Sequence, residues 1–154
     1  MTILRPGDYA PRFILPDQDN QLVKLLDYIG KRVLIYFYPK AMTPNCTIQA
    51  GNLRDNIESF NTANIEILGI SIDTPDKLLK FSEKEMLNFT LLSDKEHKVS
   101  EQFGIWGKKK FMGKVYYGVH RTTFLIDSVG KIEKIFSSFQ ANTHHLIVLK
   151  YIEM

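Results

Sequence analysis

The sequence predicts an α/β domain built on a mixed central β-sheet flanked by helices, with a β-hairpin at its N-terminus. Three observations carry this. Two near-continuous apolar runs, Val33-Leu34-Ile35-Tyr36-Phe37-Tyr38 and Ile65-Glu66-Ile67-Leu68-Gly69-Ile70-Ser71-Ile72, read as strands covered on both faces, the pattern of a parallel pair. Between them lies a segment long enough for a helix, which completes a βαβ unit. Further on, Thr122-Thr123-Phe124-Leu125-Ile126 and Lys131-Ile132-Glu133-Lys134-Ile135-Phe136 surround Asp127-Ser128-Val129-Gly130, turn chemistry that adds an antiparallel hairpin.

Each element has its own signal. Arg12-Phe13-Ile14-Leu15 and Gln21-Leu22-Val23-Lys24 flank the turn-forming Asp17-Gln18-Asp19-Asn20 and predict the N-terminal hairpin. From Pro44 to Phe60, the apolar Leu53, Ile57 and Phe60 align on one helical face, so one helix is expected there. Thr74 followed by Pro75 reads as the N-cap and first residue of a second helix, with Leu78 and Phe81 as its buried stripe. Phe89-Thr90-Leu91-Leu92 is a third strand, and Asn142 to Ile152 a closing helix. No repeat, linker or composition break interrupts this order, so residues 1–154 read as a single domain. A thioredoxin-like arrangement satisfies it. One architecture hosts many chemistries, so function has to be argued from a site.

Composition narrows the classes. With 44% hydrophobic and 24% charged residues, the chain is globular rather than disordered or low-complexity. The formal charge is +3, and the basic residues are spread out except for Lys108, Lys109, Lys110 and nearby Lys114. That run reads as a solvated loop, and no nucleic-acid partner is expected. Trp106 with Tyr116 and Tyr117 reads as packing. The longest purely apolar run, Val33 to Tyr38, falls far short of the roughly 18 residues a membrane-spanning helix needs. The stretch Met1 to Asp8 has no apolar core before its charges, so a cytoplasmic protein without a cleaved leader is expected. The glycines form no dinucleotide or phosphate motif, and no cofactor is expected. Adjacent His144 and His145 point about 100° apart on a helix, so they read as surface or capping residues rather than metal ligands.

One cysteine, Cys46, excludes an intrachain disulfide framework. It sits in Tyr38-Pro39-Lys40-Ala41-Met42-Thr43-Pro44-Asn45-Cys46-Thr47, a strand-loop-helix junction. With Thr43 as N-cap and Pro44 as the first helical residue, Cys46 falls in the first turn, where backbone N–H groups lack intrahelical partners. A thiolate there gains those donors and the positive end of the helix dipole, so a lowered pKa is expected. A small buried hydrophobe is the competing reading. Lowering a thiol pKa from about 8.5 to about 6 raises its thiolate fraction at pH 7 roughly 30-fold while nucleophilicity falls about 10-fold. A fast thiol reaction therefore needs further groups that orient the target and stabilise charge, as a nearby guanidinium does.

Pro39, Thr43 and Cys46 match the P-x-x-x-T-x-x-C signature of peroxiredoxins, and Tyr36-Phe37-Tyr38-Pro39-Lys40-Ala41-Met42-Thr43-Pro44 resembles their bacterioferritin comigratory (Q-type) branch. Gly7-Asp8-Tyr9-Ala10-Pro11, Asn88-Phe89-Thr90-Leu91-Leu92-Ser93-Asp94, Phe103-Gly104-Ile105-Trp106-Gly107 and His120-Arg121-Thr122-Thr123-Phe124-Leu125-Ile126-Asp127 extend the likeness along the chain. The resemblance implies a thioredoxin-like fold and a monomeric thiol peroxidase acting on hydrogen peroxide and organic hydroperoxides. It makes Cys46 the nucleophile that becomes a sulfenic acid. It has Thr43 hold the peroxide in line, Pro39 shield the thiolate, Arg121 bridge thiolate and peroxide, and Gln49 partner the arginine. Taken singly, Thr43 reads more readily as a helix cap, Pro39 as a strand terminator and Arg121 as half of a surface ion pair; taken together, the functional reading prevails.

The chain departs from the branch at Gly51, where many members carry a resolving cysteine five residues after the first. An external thiol, supplied by thioredoxin or by glutaredoxin with glutathione, is then expected to complete a one-cysteine cycle. A peroxide-sensing relay with little turnover is the alternative that the same absence suggests.

Overall fold

The computed structural model describes residues 2–154; Met1, the first residue of the leader reading, lies outside them. A five-stranded sheet forms the centre, in the order β5-β4-β3-β8-β9: Thr90–Ser93, Ile65–Ser71, Arg32–Phe37, Thr122–Ile126 and Ile132–Phe136. The pairs β3·β4 and β4·β5 are parallel, and β3·β8 and β8·β9 antiparallel, which makes the sheet mixed. A separate hairpin, β1 (Ile14–Pro16) with β2 (Leu22–Lys24), stands at the N-terminus. This is a thioredoxin-like fold.

Strand β3 shows why the sheet is buried on both sides. Val33, Ile35 and Phe37 join a core cluster with Phe13, Leu92 and Phe103, while Leu34, Tyr36 and Tyr38 join another with Leu53, Phe60 and Phe81. Alternate residues thus face opposite layers, as the two-residue strand period requires. Helices α1 (Pro44–Asp55), α2 (Ile57–Thr62), α3 (Pro75–Lys84) and α5 (His144–Ile152) bury residues in the second cluster. The first is covered by the N-terminal hairpin, a 3₁₀ turn at Leu25–Tyr28 and α4 (Lys98–Gln102).

The structure corrects four sequence readings. The helix expected from Pro44 to Phe60 is two helices, because the Asn56 side chain donates to Asn52 O at 2.8 Å and its backbone leaves the helical region at φ −113°, ψ 18°. Lys108 to Lys110 are not a loop. They lie in β6 (Trp106–Phe111), which pairs antiparallel with β7 (Lys114–Val119) through a turn at Met112-Gly113, both with positive φ as a two-residue hairpin of this hand demands. Trp106 does pack, its ring stacked on His97 at 4.0 Å, but Tyr116 and Tyr117 are exposed. His144 is neither a surface nor a capping residue: it is buried and shares a 2.8 Å hydrogen bond with Thr123 Oγ1.

Thr74 and Pro75 open α3 as read, although no side-chain bond caps it. Helix α4 has no periodic signal at five residues; Asp94 nucleates it by accepting from the backbone N–H groups of Val99 and Ser100 at 3.2 and 2.7 Å. No helix among the described residues is long and apolar enough to cross a membrane.

Candidate active site

The chain leaves β3 through a loop held on both sides. Tyr38 N–H donates to Ile70 O at 3.0 Å, and Ala41 N–H donates to the buried Asp73 carboxylate at 2.7 Å. Asp73 also accepts from Ser71 Oγ at 2.7 Å, so its oxygen is fixed before it meets the loop. Between these anchors Pro39 is half-buried, and Met42 takes a left-handed φ of 66° that turns the chain into Thr43. Thr43 is the N-cap residue of α1 by its backbone, with φ −87° and ψ 156°. Its hydroxyl makes no capping bond and donates instead to Lys40 O at 2.7 Å. Both hydroxyl lone pairs stay available to an incoming donor.

Cys46 is the third residue of α1 and is 2% exposed. Arg121, immediately before β8, reaches it across the top of the sheet: Nη2 donates to Cys46 Sγ at 3.3 Å. Its other terminal nitrogen, Nη1, donates to Oε1 of Gln49, which lies one turn along α1 from the cysteine and is buried. The planar guanidinium thus clasps two side chains of one helix face. Gln49 Nε2 has no hydrogen-bond partner among the described residues.

Beneath the sulfur, Tyr36 and Tyr38 stack at 5.3 Å, both buried, and neither hydroxyl has a hydrogen-bond partner among the described residues. Burial pushes both phenols well above their ordinary range, and the neighbouring Cys46 charge acts in the same direction. Near Tyr36, at 6.1 Å between ring centroids, burial pushes the His144 imidazole down to about 3, with the nearby Arg121 charge adding to it. A cleft of about 340 Å³ opens beside Arg121, lined also by Asn45, Ile48, Phe139, Gln140 and Asn142. A larger cavity of about 920 Å³ lies between the N-terminal hairpin and α4, and none of the candidate residues lines it.

Of the residues singled out from sequence, Cys46, Gln49 and Arg121 are bonded together, and Pro39 and Thr43 sit in the loop that leads into their helix. Asp73 was not singled out. Its signal, a carboxylate two residues past the end of a buried strand, is local and easily taken for a turn residue.

Residues 6–135 match the AhpC/TSA family model. The chain belongs to the AhpC/TSA family. Family membership makes it a peroxiredoxin-type enzyme that reduces hydroperoxides. It is 58% identical over 153 residues to peroxiredoxin Bcp of Escherichia coli strain K12, covering 99% of this chain and 98% of that one. It is 59% identical over 152 residues to a putative peroxiredoxin bcp of Buchnera aphidicola subsp. Schizaphis graminum, covering 99% and 96%. Among solved structures, peroxidoxin BcpB of Mycobacterium tuberculosis superposes with a TM-score of 0.86 at 36% identity, over 97% of each chain. Peroxiredoxin Q of Xanthomonas campestris superposes at 0.88 and 26%, covering 99% of this chain and 96% of that one. These likenesses place the chain in the Bcp/Q-type branch of the family.

Proposed function

We propose that this AhpC/TSA enzyme runs a one-cysteine peroxidase cycle at Cys46, completed by an external thiol. The observation that carries the reading is the bond from Arg121 Nη2 to Cys46 Sγ at 3.3 Å, with Nη1 on Gln49. A buried sulfur facing a fixed guanidinium is a site for an anion. The same cation meets the charge that develops on the peroxide oxygens as their bond breaks.

The cycle balances as follows. The Cys46 thiolate attacks one oxygen of the hydroperoxide; the S–O bond forms as the O–O bond breaks, and the leaving hydroxide or alkoxide takes a proton to become water or alcohol. Sulfur is oxidised by two electrons to a sulfenic acid. A first external thiol attacks that sulfur, releasing water and leaving a mixed disulfide. A second thiol attacks the mixed disulfide, frees Cys46 and departs as the oxidised disulfide of the donor. With Cys46 the one cysteine in the sequence, both thiols come from outside the chain.

In this reading Arg121 bridges sulfur and peroxide, and Gln49 keeps its guanidinium from rotating. Thr43 offers its free lone pairs to the peroxide hydrogen. Pro39 covers the sulfur on the loop side, and the cleft beside Arg121 is the way in. We read residues 1–154 as one cytoplasmic domain acting as a monomer, an address that suits a lone reduced thiol. Hydrogen peroxide and organic hydroperoxides are its substrates, and thioredoxin or glutaredoxin with glutathione its reductant.

The test is a panel of thiol donors in steady-state peroxide consumption, run on the wild-type chain and on Cys46→Ser. Many turnovers per Cys46 with at least one donor, abolished in the variant, are expected. A single stoichiometric oxidation with every donor would instead establish the sensing relay. Peroxide-treated protein that shows no dimedone adduct at Cys46 would end the proposal at its first step.

A further inference from the structure

Three successive lysines occupy the middle of β6, and one behaves unlike the others. Lys108 and Lys110 are exposed, whereas Lys109 is half-buried. Its stem lies across the ribbon over Gly118 of β7, a buried position where an added Cβ would meet Lys109 Cδ at 3.2 Å. The glycine leaves the room in which the lysine folds back. Beyond it, Lys109 Nζ donates to Val119 O at 2.9 Å, two residues before Arg121. His120, between them, bonds Lys108 O through Nε2 at 3.0 Å, and its N–H donates to Ile105 O at 2.7 Å. The segment that carries Arg121 is therefore fastened to β6 from two sides.

We propose that Lys109 is a positioning residue of the peroxide reaction: a second cation that holds the Val119–Arg121 segment in place and shares with Arg121 the stabilisation of the Cys46 thiolate. This rests on the reading of Cys46 as the nucleophile. The charged groups that act on Lys109 come from the elements beside it: Cys46 from α1 and Arg121 from the β7–β8 junction, with the Tyr116 ring flanking the same Gly118 face. Burial lowers the Lys109 pKa, Arg121 lowers it further, and Cys46 opposes them. Such coupling is reciprocal. Whatever the thiolate contributes to keeping Lys109 charged, charged Lys109 contributes equally to keeping the thiolate.

The experiment reads both directions. Lysines of the intact chain are reductively methylated with ¹³C, and the Lys109 signal is assigned by its absence in Lys109→Arg. Its titration midpoint is expected to fall when Cys46→Ser removes the thiolate; identical midpoints in the two proteins overturn the proposal. Stopped-flow oxidation of Cys46 is then expected to slow about tenfold in Lys109→Gln and to recover in Lys109→Arg. A glutamine variant as fast as wild type, or an arginine variant as slow as the glutamine one, overturns it too. If Lys109→Gln does not fold, Gly118→Ala displaces the stem while keeping the ammonium, and the same loss of rate is expected. The reading of Cys46 itself fails separately, by wild-type protein that forms no sulfenic acid, and the midpoint comparison stands apart from that outcome.

Discussion

The carboxylate of Asp73 accepts the backbone N–H of Ala41 at 2.7 Å, tying the end of β4 to the loop that precedes Cys46. Both residues are buried, so neither finds water if the bond is lost. Asp73→Ala leaves the Ala41 N–H and the Ser71 hydroxyl proton without their acceptor, and a stability loss of about 1–3 kcal/mol is expected in urea unfolding. The rate of Cys46 oxidation should fall with it, because the loop sets where Thr43 stands. A variant with full rate and lowered stability would separate the loop from the chemistry.

Arg121 uses two nitrogens on two partners, Cys46 and Gln49, which a lysine cannot reproduce. Arg121→Lys is expected to slow sulfenic acid formation about 100-fold even though the charge is kept. Gln49→Leu removes the second anchor only and should cost less, about tenfold. Equal rates for Arg121→Lys and wild type would show that charge alone matters.

His144 titrates at about 3 in the folded chain, below the ordinary value of 6.5. The unfolded chain therefore binds a proton that the folded chain refuses between those values. The contribution is fully present above pH 6.5 and is lost as pH falls toward 3, at up to about 1.4 kcal/mol per pH unit. His144→Asn keeps a polar partner for Thr123 and cannot take up that proton, so its acid unfolding profile should be flatter over this window. Parallel profiles for the two proteins would place the proton uptake elsewhere.

At Gly51 the atoms nearest an added Cβ belong to the flexible Arg54 side chain, the first of them Nη2 at 3.4 Å, so Gly51→Cys fits the folded helix. Residues 46 and 51 are about 7.5 Å apart along an intact helix axis, beyond the roughly 6.8 Å that a disulfide spans between Cα atoms. Peroxide treatment of Gly51→Cys is expected to form the intramolecular disulfide with loss of far-ultraviolet helix signal from the start of α1. The wild-type chain, lacking the second thiol, should keep its helix signal on oxidation. A disulfide formed with the helix intact would contradict this geometry.

The sequence by itself determined the central strands, the βαβ crossover and the placement of Cys46 in a first helical turn. Each depends on period, capping and turn residues that act between near neighbours. It also named Arg121 and Gln49, through motif resemblance rather than through any physical signal in their spacing. Only the tertiary structure brought Arg121 to within 3.3 Å of Cys46, a contact across 75 positions of the chain that no local pattern encodes. It likewise decided that Asn56 divides a helix, that His144 is interior, and that Lys109 turns inward while Lys108 and Lys110 do not. Those outcomes follow from which faces pack together: burial and charge depend on neighbours distant in sequence, and the chain acquires them only on folding.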